Sequence, residues 1–402
     1  MRRTRTHGLA GVLAAALVGC NGARTPGDAG NPGSSVQGAL APAARGSQPA
    51  SSVVGRSEAT GQPPAASPGD ASPGPLGVRW IGRVDTSTAG AAKFAWSGTG
   101  FVATVNGTRV SARLQTEMAR TAFFQVVVDG HPGARLQVPM GDAQTVVLAD
   151  GLAPGDHTIE LYRETEGMYG DSVFSGLVEG SPRAPPARTG RLIEVIGDSI
   201  SAGYGNLGNE VHPPWDNSCS FSLDTESAYQ SYASILGRAL AAEVSIVARS
   251  GWGVYRDSTG STSGVLSAVY DHAVGTAPGA TWDFQRKPNA VIINLGTNDG
   301  AAGDPGAPFE DAYVALLLTV RGHYPDAWIF LTLGPMTIDP LLSQMRAHLK
   351  KVAARAADTR LATVDIPAQD PASTGCDYHP NVAEDALMAG ILAPAVRAKL
   401  GW

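Results

Sequence analysis

The sequence predicts two folded parts of different class: a small β-sandwich of the jelly-roll type over residues 76–182, and an α/β domain with a doubly wound parallel sheet over residues 189–402. Three observations predict this. Short alternating apolar runs separated by turn signals fill the stretch from Val78 to Glu179, the pattern of an all-β domain. Beyond Arg188, apolar runs of buried type alternate with amphipathic stretches of helical period, which read as a parallel sheet covered on both faces. A chain of 402 residues with 43% hydrophobic content also has apolar material for two cores.

Taken in order, Arg2, Arg3 and Arg5 precede an apolar run from Leu9 to Val18. This run is too short to span a bilayer and has the form of an export signal over residues 1–20. It ends in Leu17-Val18-Gly19-Cys20, which is similar to a bacterial lipobox, where the cysteine is lipidated and becomes the mature N-terminus. The plainer alternative is a soluble secreted protein. Asn21 after Cys20 points by analogy to an outer-membrane or cell-surface location rather than the inner membrane. Residues 21–75 are rich in Gly, Pro, Ala and Ser with scarcely a large apolar residue, so they bury too little to offset chain entropy and read as a flexible tether. A net charge of −6 without a long basic run argues against nucleic acid as a partner.

Eight strands are expected in the sandwich: Val78–Val84, Lys93–Trp96, Gly100–Val105, Arg109–Leu114, Phe123–Val128, Arg135–Val138, Gln144–Leu148 and His157–Arg163. Asn106-Gly107 and Asp129-Gly130 are turn signals between neighbouring runs, the latter a strong hairpin cue. Trp80 and Trp96 are expected in this domain's core. A Pro-rich joint, Ser181–Arg188, follows.

In the α/β domain the expected strands are Arg191–Ile196, Glu243–Ala248, Ala290–Leu295, Trp328–Leu333 and Leu361–Asp365, with helices over Glu226–Ala241, Phe309–His323, Pro340–Ala356 and Val382–Lys399. In such sheets the chemistry gathers at the carboxyl ends of the strands, and four short segments stand there. The first strand runs into Gly197-Asp198-Ser199-Ile200, placing a serine where main-chain N–H groups favour negative charge. The second ends in Arg249-Ser250-Gly251-Trp252-Gly253, and a glycine there brings its N–H close to a reacting carbonyl. The third delivers Gly296-Thr297-Asn298-Asp299, with Asn298 as a neutral amide donor at the same edge. Before the last helix come Gly375-Cys376-Asp377-Tyr378-His379-Pro380, and His379 is a natural general base for a serine. Singly, each has a plain structural explanation: a helix cap, a tight turn, a self-bonded Asn, an incidental His. Together they fall on one edge of one sheet.

These four segments resemble the four blocks of the SGNH hydrolase superfamily. The resemblance implies Ser199 as nucleophile, the Gly251 N–H and the Asn298 amide beside the Ser199 N–H as oxyanion donors, and His379 as base. The preceding jelly roll, together with Tyr162–Glu166 and Gly375–Pro380, is similar to carbohydrate esterase family two, whose members are acetyl esterases acting on plant polysaccharides such as xylan and glucomannan. One position departs from the superfamily: the aspartate usual three residues before the histidine is here Cys376. Either Asp377 or a main-chain carbonyl then orients His379. With Cys20 set aside, Cys219 and Cys376 form an even pair expected as a disulfide in an oxidising compartment, with two free thiols as the alternative. Trp215, Trp252 and Tyr378 are candidate faces for sugar rings, with core packing the competing role for Trp252. No cofactor or metal is expected, as no zinc or dinucleotide motif occurs. The expected protein is a monomeric esterase acting on acetylated polysaccharide. A lipase or other acyl hydrolase built on the same blocks, or a carbohydrate-binding surface protein without catalysis, are the alternatives.

Overall fold

Eight antiparallel strands build the N-terminal part of the computed structural model: β1 (Arg79–Ile81), β2 (Ala92–Phe94), β3 (Gly100–Glu117), β4 (Ala122–Val128), β5 (His131–Val138), β6 (Gln144–Asp150), β7 (Asp156–Arg163) and β8 (Asp171–Arg183). The structure describes residues 75–118, 120–208, 210–211, 219–275, 279–371 and 373–402. The expected signal, Cys20, the tether up to residue 74 and Trp215 lie outside the described residues.

The strands follow the order β2-β8-β3-β7-β4-β5, with β1 and β6 also paired to β3. The 18-residue β3 makes this possible: its first half pairs with β1 and β7, its second with β6, so the strands wrap one aromatic core. There Trp80 meets Phe94 at 5.4 Å and Phe101 meets Phe174 at 4.7 Å between ring centroids. Asp129 and Gly130 close the β4–β5 hairpin with φ of 51° and 80°, the paired positive values of a tight hairpin turn.

Two expectations change here. Asn106-Gly107 does not turn the chain. It lies inside β3 at a register irregularity opposite β8, because strands on either side hold both halves in one continuous run. The two strands expected at Gly100–Val105 and Arg109–Leu114 are therefore one. The eighth strand is instead β8, which carries two internal glycines and a mostly exposed second half, so its alternation is weak in the sequence; it runs through Arg183, one residue beyond the expected domain end.

The C-terminal part is a parallel sheet in the order β11-β9-β12-β13-β14, formed by β9 (Leu192–Gly197), β11 (Glu243–Ala248), β12 (Ala290–Asn294), β13 (Trp328–Thr332) and β14 (Leu361–Thr363); β10 (Glu210–Val211) and β15 (Ser373–Thr374) form a separate two-stranded ladder. Its helices are α1 (Ser199–Ala202), α2 (Tyr232–Leu240), α3 (Thr297–Ala301), α4 (Gly306–His323), α5 (Leu341–Ala356) and α6 (Val382–Leu400). Alternate strand residues serve opposite faces: Ile193, Val195, Ile292 and Phe330 pack with α2 and α6, whereas Ile196, Val291, Ile293 and Leu331 pack with α4 and α5. β9 lies between β11 and β12, and the chain leaves it in opposite directions to reach the two, which opens a crevice at its carboxyl end. Among the described residues no helix is long and apolar enough to cross a membrane.

The two parts interlock. Arg83, fully buried, reaches from the β-part to Glu194 on β9 at 3.1 Å. Glu194 also accepts from the hydroxyls of Tyr270 (2.8 Å) and Tyr324 (3.0 Å). Trp96, expected in the sandwich core, is buried instead among Val254, Leu266 and Val269 of the α/β core, and its indole N–H donates to the His272 carbonyl at 3.3 Å.

Candidate active site

The position of Ser199 is built by the end of β9. Gly197 must be glycine, since a Cβ there would lie 2.0 Å from the Ser201 hydroxyl. Asp198 then caps α1, its carboxylate accepting from the Ile200 N–H at 3.1 Å. Ser199 is the first residue of this single turn, which stops at Gly203 in a left-handed conformation. Its Oγ stands 2.8 Å from His379 Nε2. The helix is too short for a strong dipole, so what it offers is first-turn N–H groups with no intrahelical partner.

His379 arrives on a loop held at several points. The disulfide Cys219–Cys376 joins segments 157 residues apart, Cys376 N–H donates to the Gly205 carbonyl (2.9 Å) and Asp377 N–H to the Cys219 carbonyl (2.9 Å). These contacts sustain two consecutive non-glycine residues at positive φ, Asp377 at 49° and Tyr378 at 59°, a conformation that costs about 1–2 kcal/mol per residue. The turn aims the Asp377 main-chain carbonyl at His379 Nδ1, 3.0 Å away, while the Asp377 carboxylate accepts from Tyr204 Oη (3.0 Å) and the Phe221 N–H (3.1 Å). Of the two orienters left open by the sequence, the carbonyl is the one on the ring nitrogen. The carbonyl fixes the tautomer with the proton on Nδ1, leaving Nε2 free to accept from Ser199. Tyr204 packs on the imidazole at 4.3 Å and stacks on Phe221 at 3.9 Å. Although His379 keeps some exposure, the protein around its ring pushes the imidazole down to about 4, only partly opposed by the Asp377 carbonyl.

Gly251 has φ of 79°, a value a side chain resists, and among the described residues its N–H meets no acceptor. Asn298 reaches the same edge, but its Nδ2 is engaged by Asp198 Oδ2 (3.2 Å) and the Trp252 carbonyl (2.9 Å). The amide thus ties the β9 turn to the β11 turn, and donating to an oxyanion requires it to exchange one of those bonds. Burial, reinforced by the charge of nearby Asp299, pushes Asp198 up to about 7.

Residues 80–186 match the carbohydrate esterase 2 N-terminal family and residues 195–384 the GDSL-like lipase/acylhydrolase family. A family two carbohydrate esterase from Clostridium thermocellum, solved in complex with cellohexaose, is 35% identical with a TM-score of 0.75, covering 81% of this chain and 99% of that one. The chain belongs to carbohydrate esterase family two. The cellulase/esterase CelE of Acetivibrio thermocellus is 36% identical over 335 residues, 81% of this chain but 40% of that protein's length. An acetylxylan esterase / glucomannan deacetylase of Cellvibrio japonicus is 25% identical over 334 residues, 81% of this chain and 89% of that protein.

In this family two chain, three further residues to which the sequence reading gave no role meet the site. Asp299 accepts from the N–H groups of Val254 (3.0 Å), Tyr255 (2.7 Å) and Arg256 (3.0 Å), shaping the turn that follows Gly251; its place directly after Asn298 was the available signal. Tyr204 covers the histidine from the glycine-rich stretch after α1. Glu166 comes from the β-part and bonds Ser250; the stretch Tyr162–Glu166 carries part of the family resemblance, but nothing in it announces a contact with so distant a segment. Of the expected aromatic platform, Trp252 is half-buried against the α4/α5 core, with the Arg249 guanidinium 4.0 Å above its ring. Tyr378 is also half-buried, and its carbonyl accepts from Gln369 Nε2 at 2.6 Å.

Proposed function

We propose that this chain removes O-acetyl groups from plant polysaccharides such as xylan and glucomannan by acyl transfer through Ser199 and His379. The observation that carries the reading is the Ser199 Oγ to His379 Nε2 contact of 2.8 Å, with Nδ1 held by a carbonyl. His379 takes the serine proton as Oγ attacks the acetyl carbonyl, then returns it to the departing sugar hydroxyl. Water activated by the same nitrogen releases acetate. The N–H groups of Ser199 and Gly251 receive the oxyanion, and Asn298 joins them by giving up one bond. Trp252 and Tyr378 offer faces to the sugar rings. The printed activities of the Cellvibrio japonicus relative support this substrate class.

In the same proposal the sandwich spans residues 76–183, to the end of β8, and the esterase domain 189–402, residues 1–20 direct export, Cys20 carries lipid and the chain acts as a monomer at a cell surface. The Cys219–Cys376 disulfide supports export, since such bonds persist outside reducing compartments.

The test is acetate release from acetylated xylan, acetylated glucomannan and an aryl acetate by the parent and by Ser199→Ala. Release by the parent alone is expected. Equal release by Ser199→Ala overturns the mechanism, and activity on the aryl ester but neither polymer moves the substrate elsewhere.

A further inference from the structure

The β-part does more than adhere to the α/β domain, because one of its buried side chains ends beside the oxyanion site. Glu166, in the turn after β7, is 2% exposed. Its carboxylate accepts from the Ser250 N–H at 2.8 Å and, through the other oxygen, from the Ser250 hydroxyl. Ser250 immediately precedes Gly251. The glutamate is itself fixed: its carbonyl accepts from Arg163 Nη2 (3.1 Å) and from the Tyr169 N–H (3.2 Å), and its N–H faces Glu226 Oε2 at 3.3 Å. Arg163 is buried and also donates to the Thr165 carbonyl at 2.7 Å and the Gly170 carbonyl at 2.5 Å. The turn carrying Glu166 is therefore rigid.

From the other side, the Gly251 carbonyl accepts from the Ser258 N–H at 2.8 Å, and Asp299 holds the three residues from Val254 to Arg256. Gripping Ser250 by both N–H and hydroxyl leaves little freedom for the next peptide plane, and so for the direction of the Gly251 N–H. Burial raises both Glu166 and Glu226, Glu226 further because it also faces the Glu166 charge, while the two Ser250 bonds hold Glu166 back.

We propose that Glu166 is a positioning residue contributed by the N-terminal domain, which sets the Gly251 N–H for the oxyanion by gripping Ser250. The inference rests on the reading of Ser199 and Gly251 given above. An error of about 1 Å in such a donor is worth roughly a hundredfold in rate, so a carboxylate on the adjacent residue has leverage without touching substrate.

The experiment compares the parent with Ser199→Ala, Glu166→Ala, Glu166→Gln and Ser250→Ala on 4-nitrophenyl acetate and on its thiono analogue, in which sulfur replaces the carbonyl oxygen and accepts hydrogen bonds poorly. All are assayed well below their melting temperatures. Glu166→Ala is expected to lower kcat about 10- to 100-fold with little change in KM. It also narrows the oxygen-to-sulfur rate ratio, which a merely structural role would leave unmoved. Glu166→Gln, which keeps one acceptor oxygen, and Ser250→Ala, which keeps the main-chain bond, fall between, and they carry the test if Glu166→Ala does not fold. Turnover within about twofold of the parent in Glu166→Gln and Ser250→Ala, or a loss with an unaltered oxygen-to-sulfur ratio, overturns the proposal. Should Ser199→Ala remain active, the serine reading itself falls, which is a separate outcome.

Discussion

At the scale of single residues the consequential group is His379. A folded value near 4 against an ordinary value near 6.5 means that the ring is a weaker base than free imidazole but stays neutral, and so available to accept a proton, through the mildly acidic range. The acidic limb of kcat/KM in the free enzyme is expected near pH 4 rather than 6.5, checked by a pH–rate profile on an aryl acetate. The sign for stability follows from the same depression: the unfolded chain binds the proton first. The contribution is full above about pH 6.5 and is lost as pH falls through the window to about 4. A second prediction separates carbonyl from carboxylate. Asp377→Asn keeps the main-chain carbonyl on Nδ1, so kcat should fall less than about tenfold, whereas loss of a triad carboxylate costs about 10⁴. A steady-state assay of that variant decides it. That Ser199, Gly251, Asn298 and His379 gather at one sheet edge was legible in the sequence because all four stand just past a strand or in a loop at that edge and together resemble one family's blocks, although each alone has a plain structural explanation. The choice between the Asp377 carboxylate and a main-chain carbonyl as orienter was not, since main-chain atoms carry no sequence mark and the backbone of Asp377 and Tyr378 had to be seen in its left-handed form.

The element that matters most is the loop bearing His379. Its positive-φ pair persists because the disulfide, the Gly205 carbonyl and the Cys219 carbonyl over-determine it. Gly208 shows how close that packing is, since a Cβ there would stand 2.5 Å from Cys376 Sγ. Replacing both cysteines by serine is expected to lower stability by about 2–5 kcal/mol and to lower kcat more than it raises KM, read from denaturant midpoints and steady-state kinetics. Helix α2 illustrates where periodicity fails as a guide to structure. The pattern supports a helix from Glu226, yet the helix begins at Tyr232. The intervening residues are taken by the β-part, with the Glu164 carboxylate accepting from Ser227 Oγ (2.7 Å) and the Tyr229 N–H (3.0 Å), and the Glu164 carbonyl from the Ala228 N–H (3.1 Å). A tertiary contact outbids propensity there. β12 and β13, buried almost throughout and nearly continuous in apolar character, were by contrast almost fully legible.

For the whole molecule, the two parts should behave as one cooperative unit. Arg83 and Glu194 are a buried ion pair with exposures of 0% and 3%. Removing one partner of such a pair leaves an uncompensated charge and costs about 3–5 kcal/mol. Arg83→Met is expected to lose that much, and adding Glu194→Gln should restore part of it, because the second change removes the stranded carboxylate while Gln still accepts from Tyr270 or Tyr324. Trp96 extends the argument: its indole occupies the α/β core, so a chain beginning at residue 189 would open a cavity there as well as strand Glu194. Loss of a buried tryptophan side chain alone costs about 3–5 kcal/mol, and the two deficits together approach the whole stability of an ordinary domain. Residues 189–402 expressed alone are therefore expected to lack a stable fold, and the chain from residue 76 to 402 to unfold in a single transition. Urea titrations followed by far-ultraviolet circular dichroism and by tryptophan fluorescence should give coincident midpoints. Two separated transitions, or a stable and active 189–402 fragment, would show that the interlock of Arg83 and Trp96 carries little of the folding energy.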